Sequence, residues 1–271
     1  MHIGIVMPVI LQERSLFEYT FEAVECLKTS HTATLYVICN RLHLSTEEEL
    51  QAELESRFSG KVIVINESGV TRSVSESWNL GATLAIADGA QYINFVANDT
   101  RLREDCLDAM VAFGESGDAD LWSGIAYNQN PQLDPLQITD GADFTCFMVR
   151  PSTLQQYGWF DSNFKPAYFE DNDYYARIVL GGGGCRILHA AQFYHHGSAT
   201  IHQDPEAAHH VRHWFEVNRS YFAKKWGVSQ PAGSSEGVLQ HYYSNPFNDR
   251  SRPLSWFPSQ TAEHETVGMQ T

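Results

Sequence analysis

The sequence predicts an α/β protein with a Rossmann-like, mostly parallel sheet and helices on both faces. Three observations carry that reading. Apolar residues switch between a period of two and a period near 3.6 through the first hundred positions, the mark of strands joined by helical crossovers. The short apolar runs end in polar residues such as Asn40, Asn66 and Asp99, at the strand ends where such sheets bind ligands. A chain of 271 residues that is 43% apolar can bury one substantial core and is short for two full domains.

Residues 3–9 read as a buried strand. Ser15 and Glu18 form a capping-box pattern, with Phe17, Phe21, Val24 and Leu27 at helical spacing. A second strand covers 34–39. Ser45 to Glu48 repeats the capping-box pattern, and Leu50, Leu54 and Phe58 share one face of the next helix. A third strand spans 61–65, a helix carrying Trp78, Leu84, Ala85 and Ile86 covers roughly 73–88, and a fourth strand occupies 92–96. From about residue 104 the strands shorten (121–126, 144–149, 185–188) and long loops separate them. Residues 205–227 read as an aromatic-rich helix, and 229–271, with Gly233-Ser234-Ser235, as an irregular tail.

Composition removes several classes. A formal charge of −15 with few clustered Lys or Arg argues against a nucleic-acid partner, because binding a phosphate backbone draws on such clusters. Cys26, Cys39, Cys106, Cys146 and Cys185 are scattered without a CxxC pair and read as reduced core thiols. Met1-His2 leads straight into an apolar stretch with no basic start or cleavage site, so no signal peptide is predicted and the cytoplasm is the expected location. No apolar run is long enough to cross a bilayer, so any contact with the inner face of a membrane is expected to be peripheral or through a partner. Pro8-Val9-Ile10-Leu11 stands where a glycine-rich phosphate loop would follow the first strand, and no Walker A pattern occurs. Gly181-Gly182-Gly183-Gly184 follows a helix and precedes a strand, the wrong order for a phosphate cradle, and reads as a turn.

The most informative segment is Tyr168-Phe169-Glu170-Asp171-Asn172-Asp173-Tyr174, with three carboxylates in four residues. A solvated acidic helix start explains that segment, taken alone, as well as a site does. Its company shifts the balance. The strand at 92–96 runs on through Ala97-Asn98-Asp99-Thr100, bringing a carboxylate to the ligand edge, and Phe193-Tyr194-His195-His196-Gly197-Ser198 places imidazoles after another apolar run.

With these pieces in this order, the chain resembles the family 2 glycosyltransferases, a GT-A fold group that includes bacterial rhamnosyl- and galactofuranosyltransferases. The similarity covers roughly residues 3–227. It is carried by Ile5-Val6-Met7-Pro8-Val9, Asn66-Glu67-Ser68-Gly69, Ser77-Trp78-Asn79-Leu80-Gly81 and the strand ending at Asp99. It continues through Gly158-Trp159-Phe160-Asp161, Phe169 to Asp173 with Arg177 and Gly181, and His195-His196-Gly197-Ser198. Asn218-Arg219-Ser220-Tyr221-Phe222 and Lys225-Trp226-Gly227 complete it.

The resemblance implies an inverting, metal-dependent transfer of a sugar from a nucleoside-diphosphate sugar to an acceptor hydroxyl. Asp171 matches the family's general base, which takes the acceptor proton, and Glu170 is the neighbour that orients the loop or the acceptor. Asp99 matches the last residue of the DXD-type motif, whose first acidic position is Ala97 here. With His195, or His196 beside it, Asp99 would hold Mn2+ or Mg2+ against the diphosphate. Pro8, Asn40, Asn66, Arg72, Asn79 and Asn98 fall at positions that line the nucleotide sugar, with a UDP- or dTDP-sugar favoured by analogy. Lys224 or Lys225 would close over the diphosphate, and Trp214, Phe215, Tyr221, Phe222 and Trp226 would pack a lid or, in the minority reading, stack a sugar. His202, His209, His210 and His213 are given no metal.

The expected organisation is one GT-A domain over 1–228, with a donor half at 1–100 and an acceptor half, including a small acceptor-side sheet, at 101–228. The tail would order the acceptor side or a homo-oligomer interface. The expected acceptor is a saccharide or lipid-linked saccharide of a surface glycan. The rivals are a phage-type enzyme that glycosylates modified DNA bases and a catalytically inactive nucleotide-sugar-binding protein, the latter suggested by Ala97. A nucleotidyltransferase would need the glycine-rich loop that is missing.

Overall fold

Strands and helices alternate as the periodicity predicts. The order is β1 (His2–Leu11), α1 (Arg14–Glu25), β2 (Thr32–Leu42), α2 (Glu47–Glu55), β3 (Lys61–Ile65), α3 (Val74–Ala87) and β4 (Tyr92–Val96). Then come β5 (Thr100–Leu102), α4 (Cys106–Ser116), β6 (Leu121–Ala126), β7 (Ile138–Asp140), β8 (Cys146–Val149), α5 (Pro151–Tyr157), α6 (Glu170–Leu180), β9 (Cys185–His195) and α7 (Pro205–Trp226). This computed structural model describes residues 1–67, 69–129, 133–197 and 205–228, apart from the side chains of 205–212. The tail at 229–271, Ser68, Ser198, His202 and the side chains of His209 and His210 lie outside the described residues.

One mixed sheet of nine strands, counted among the described residues, runs β3-β2-β1-β4-β8-β6-β9-β5, with β7 on β9. The first four strands in that order are all parallel, so their carboxyl ends share one edge. The shorter strands join the same sheet through antiparallel β8, which pairs with both β4 and β6. Helices α1, α2 and α4 pack on one face over Ile3, Ile5, Met7, Leu35 and Val37. Helices α3, α5 and α6 cover the other face over Val6, Tyr36, Ile38, Phe95 and Phe147. Cys39, Cys106, Cys146 and Cys185 are buried and Cys26 partly so, all as free thiols.

Local signals needed adjustment in three places. Ser15 lies inside α1, whose N-cap is Glu13 with no side-chain cap bond, so that capping box does not form. The second box is displaced by one residue to Thr46 and Glu49, because a run of three glutamates allows either register. Strand β9 runs seven residues beyond the predicted 188. A register shift opposite Ser123 and Ile125, closed by Gln192 Nε2 donating to the His189 carbonyl, breaks the period-two pattern there. The helix expected over 73–88 is capped by a Ser73–Glu76 box that sequence reading did not mark.

The tightest packing on the second face is α3 against β1. A Cβ added at Gly81 would lie 2.3 Å from Val6 Cγ1, and one at Gly4 would lie 2.4 Å from the Ala85 Cβ. Val6 is fully buried and β-branched, so it cannot turn aside. Gly81→Ala should therefore lower unfolding stability by about 1–3 kcal/mol through overpacking, read as a lower urea midpoint with an unchanged slope.

Candidate active site

The carboxyl edge of the parallel strands collects the polar residues that sequence reading singled out. Asn40 lies near the end of β2, Asn66 follows β3, and Asp99 lies between β4 and β5. Thr100 pairs with His195 in the β5–β9 ladder, which sets His195 Nε2 3.4 Å from Asp99 Oδ1. The Asp99 side chain is 8% exposed and that of His195 21%. The hydrogen bond to Asp99 raises the proton affinity of His195 against the opposing effect of burial, and the charge of Asp143 adds to the rise. Asp143 was not anticipated. It is anchored by its N–H to Ser123 Oγ (2.8 Å) and accepts from the Thr145 N–H (2.9 Å).

His196 takes no part in that contact, because successive strand residues face opposite ways. Its ring sits 4.7 Å from Tyr19 and 4.9 Å from Tyr194, and burial holds its pKa below the usual histidine value. What it gives Asp99 is its backbone N–H, 3.0 Å from the Asp99 carbonyl. The implied ligand pair therefore narrows to Asp99 and His195. Among the described residues no three His, Cys, Asp or Glu side chains form a ready metal cluster. One carboxylate and one imidazole nitrogen nevertheless fit a Mn2+ or Mg2+ that completes its shell with water and diphosphate oxygens.

The acidic segment reaches the same edge from the other side. Helix α6 turns at Gly181 to Gly184 directly into β9, whose first residue pairs with Leu121 at the start of β6. The amino end of α6 thus points to the carboxyl edge. It is entered through two non-glycine residues in the left-handed region, Tyr168 (φ 82°) and Phe169 (φ 72°). Each costs about 1–3 kcal/mol, strain that proteins concentrate at functional sites. Burial pushes the Glu170 carboxyl well above the usual carboxylate range, and the neighbouring Asp171 charge adds to this. Glu170 Oε2 has no hydrogen-bond partner among the described residues, although the residue is only 6% exposed. Asp171 is also raised by burial, but the Asn172 N–H (2.7 Å) and Nδ2 (2.9 Å) donate to it and oppose the rise. Burial thus raises both neighbouring carboxyls, and only Asp171 has the Asn172 donors opposing the rise.

A buried ionic cluster underlies α6. Lys225 Nζ lies 2.6 Å from Asp161 Oδ2 and 2.7 Å from Asp173 Oδ1, and Arg177 Nε lies 3.0 Å from Asp173 Oδ2. The Tyr221 hydroxyl donates to Asp161 (2.9 Å) and the Trp226 indole to Asp173 (3.0 Å). Lys225 consequently cannot close over a diphosphate as expected; its ammonium is enclosed, and Lys224 alone remains exposed there.

Three other residues expected at the nucleotide have hydrogen-bond partners within the protein. Asn79 donates to the Phe160 carbonyl (2.8 Å) and accepts from the Phe160 N–H (3.0 Å), clamping the turn before Asp161. Asn98 donates to Thr20 Oγ1 (2.9 Å). Asn40, buried, accepts from the Arg72 N–H (3.1 Å) and donates to Ser77 Oγ (3.0 Å). Asn79 bonds main chain only, Asn40 one main-chain and one side-chain group, and Asn98 a side-chain hydroxyl. Arg72 pairs with Glu67 at 2.5 Å but keeps Nη1 buried without a hydrogen-bond partner among the described residues. Pro8 and Asn66 are half-buried at the edge. Val74 N–H bonds the Pro166 carbonyl (2.9 Å), joining the Arg72 turn to the segment that leads to Asp171. A groove of about 510 Å3 lined by His2, His31, Lys61 and Asp88 lies at the opposite, amino ends of the strands.

No protein-family profile matches the chain, and no curated protein sequence matches it. Solved structures do. The crystal structure of S. aureus TarS 1-349 in complex with UDP-GlcNAc aligns with a TM-score of 0.58 at 16% identity, over 90% of this chain and 72% of that one. Its complex with UDP aligns at 0.54 and 14% identity, over 86% and 74%. The longer S. aureus TarS structure aligns at 0.57 and 14% identity over 90% of this chain, which spans 43% of that one. At such identities the likeness shows the fold, and the GT-A α/β architecture expected from sequence is the one present.

The raised Glu170 carboxyl has a definite sign in stability. Because the folded state holds that proton more tightly than the unfolded chain, stability falls as pH rises from the ordinary value of 4.5 through the raised folded value. Glu170→Gln should therefore unfold at higher denaturant than the parent at pH 8, the gain vanishing below the ordinary value. Lys225→Met, which leaves the buried Asp161 carboxylate without its cation while Asp173 keeps Arg177, should cost about 3–5 kcal/mol in the same titration at neutral pH.

Proposed function

We propose that the chain is an inverting, metal-assisted glycosyltransferase that uses a nucleoside-diphosphate sugar, of the kind found in family 2. The observation that carries this is the Asp99–His195 contact, which brings distant segments together at the sheet edge that the Glu170–Asp171 pair also reaches. The fold shared with S. aureus TarS, crystallised with UDP-GlcNAc and with UDP, supports a uridine nucleotide as the first donor to test.

In this reading, Asp99 and His195 are the residues that would hold a divalent cation, which when bound would supply charge neutralisation for the departing nucleoside diphosphate. Arg72, which pairs with Glu67 and whose Nη1 lacks a hydrogen-bond partner among the described residues, would add a second positive charge. Asp171 accepts the proton of the acceptor hydroxyl as its oxygen bonds to the anomeric carbon on the face opposite the leaving group, which inverts that centre. A protonated Glu170 can donate a hydrogen bond to a sugar hydroxyl, a role Asp171 cannot fill while ionised. The acceptor is a saccharide or lipid-linked saccharide. Among the described residues no helix is long and apolar enough to cross a membrane, so a lipid-linked acceptor would be met from the membrane surface.

Thermal shift against a panel of nucleotide sugars, with and without Mn2+, tests the donor, because a ligand of the native state raises its stability by mass action. Asp171→Asn should keep that shift while turnover drops by about 10²–10⁴-fold. Asp99→Asn or His195→Ala should erase the part of the shift that depends on Mn2+. The rate should fall on the acid side at a pH above the ordinary aspartate value, since Asp171 must be ionised and burial raises its pKa. Full turnover in Asp171→Asn would sink the assignment.

A further inference from the structure

The left-handed pair Tyr168–Phe169 needs an external hold, and α7 supplies one. Asn218, 1% exposed, accepts from the Lys165 N–H through Oδ1 (3.2 Å). Its Nδ2 donates to the carbonyls of Ala167 (2.8 Å) and Tyr168 (3.1 Å). All three bonds go to main chain immediately before Phe169 and Glu170. The amide orientation is fixed by chemistry, since the reverse would set N–H against N–H at Lys165 and oxygen against two carbonyl oxygens. Phe169 and Phe222 pack around the same contact, with ring centroids 5.5 Å apart.

We propose that Asn218 is the positioning residue of the acidic turn. It holds residues 165–168 in the geometry that presents Asp171 to the cleft, without itself touching donor or acceptor. The inference rests on the reading of Asp171 as proton acceptor. Two adjacent non-glycine residues at positive φ persist only where surrounding structure over-determines them, and three bonds from one buried amide do so. Aspartate would serve the Lys165 N–H but set its charge against two carbonyl oxygens. Alanine would leave one N–H and two C=O groups without partners.

The experiment compares the full chain with Asn218→Ala, Asn218→Asp and the double variant Asn218→Ala with Tyr168→Gly. Hydrogen exchange is followed over residues 165–172, with UDP affinity and turnover of UDP-GlcNAc in the presence of Mn2+. In Asn218→Ala, exchange should rise about tenfold or more over that segment and little elsewhere. UDP affinity and donor KM should stay within about twofold, while kcat falls by about 10–100-fold from misplacement of the base. Adding Tyr168→Gly should return part of the lost kcat, because glycine adopts positive φ without strain. Should the alanine variant fail to fold, Asn218→Asp, which keeps one bond, should show the same split. Unchanged exchange over 165–172, or a loss of protection and UDP affinity across the whole molecule, would overturn the proposal. If the parent neither binds UDP nor turns over UDP-GlcNAc, the donor reading fails first, and the exchange pattern alone decides whether Asn218 holds the turn.

Discussion

The second half of the molecule depends on one buried ammonium. Lys225 stands between the carboxylates of Asp161 and Asp173, and Arg177 completes a cluster of two charges of each sign, all nearly excluded from water. A neutral cluster of this kind gains little over an apolar core of the same shape, because desolvation offsets the attraction. Losing one member is another matter, since it leaves a charge without water or partner. The four residues therefore stand or fall together, and they fasten the loop before α6, α6 itself and the end of α7 into one body. The aromatic packing of Phe164, Phe169 and Phe222 is seated on that frame.

The parallel half was legible because its information is local. Runs such as Ile3 to Val9 and Leu35 to Cys39 alternate with amphipathic helices, and polar residues mark the strand ends. The acidic pair, Asp99 and the histidines were found from a string of motifs whose meaning lies in their order. Which histidine faces Asp99 follows from the register of β5 on β9, and no local pattern announces it. The partners of Asn79 and Lys225, Phe160 and the two buried aspartates, are far away in sequence, so no local pattern shows them. Asn218 carried one signal only, its place in the string that resembled the family. Strands of three residues such as β5 and β7 are too short for a period to show.

Charge sets a second condition on the site. A chain with a formal charge of −15 repels a nucleoside diphosphate at long range, so binding one requires positive charge concentrated where the phosphates rest. Lys225 and Arg177 are occupied in the interior, and at the carboxyl edge His195 pairs with Asp99 and Arg72 with Glu67.

The hold on the acidic turn also orders events during synthesis. Asn218 lies 53 residues beyond Lys165, and Lys225 lies 64 beyond Asp161. A nascent chain therefore exposes Glu170 and Asp171 well before the residues that shape them have been made, whereas β1, α1 and β2 can pair as they emerge. Synthesis that stops short of α7 leaves out both Asn218 and Lys225, and with them the bonds that fasten residues 161–173.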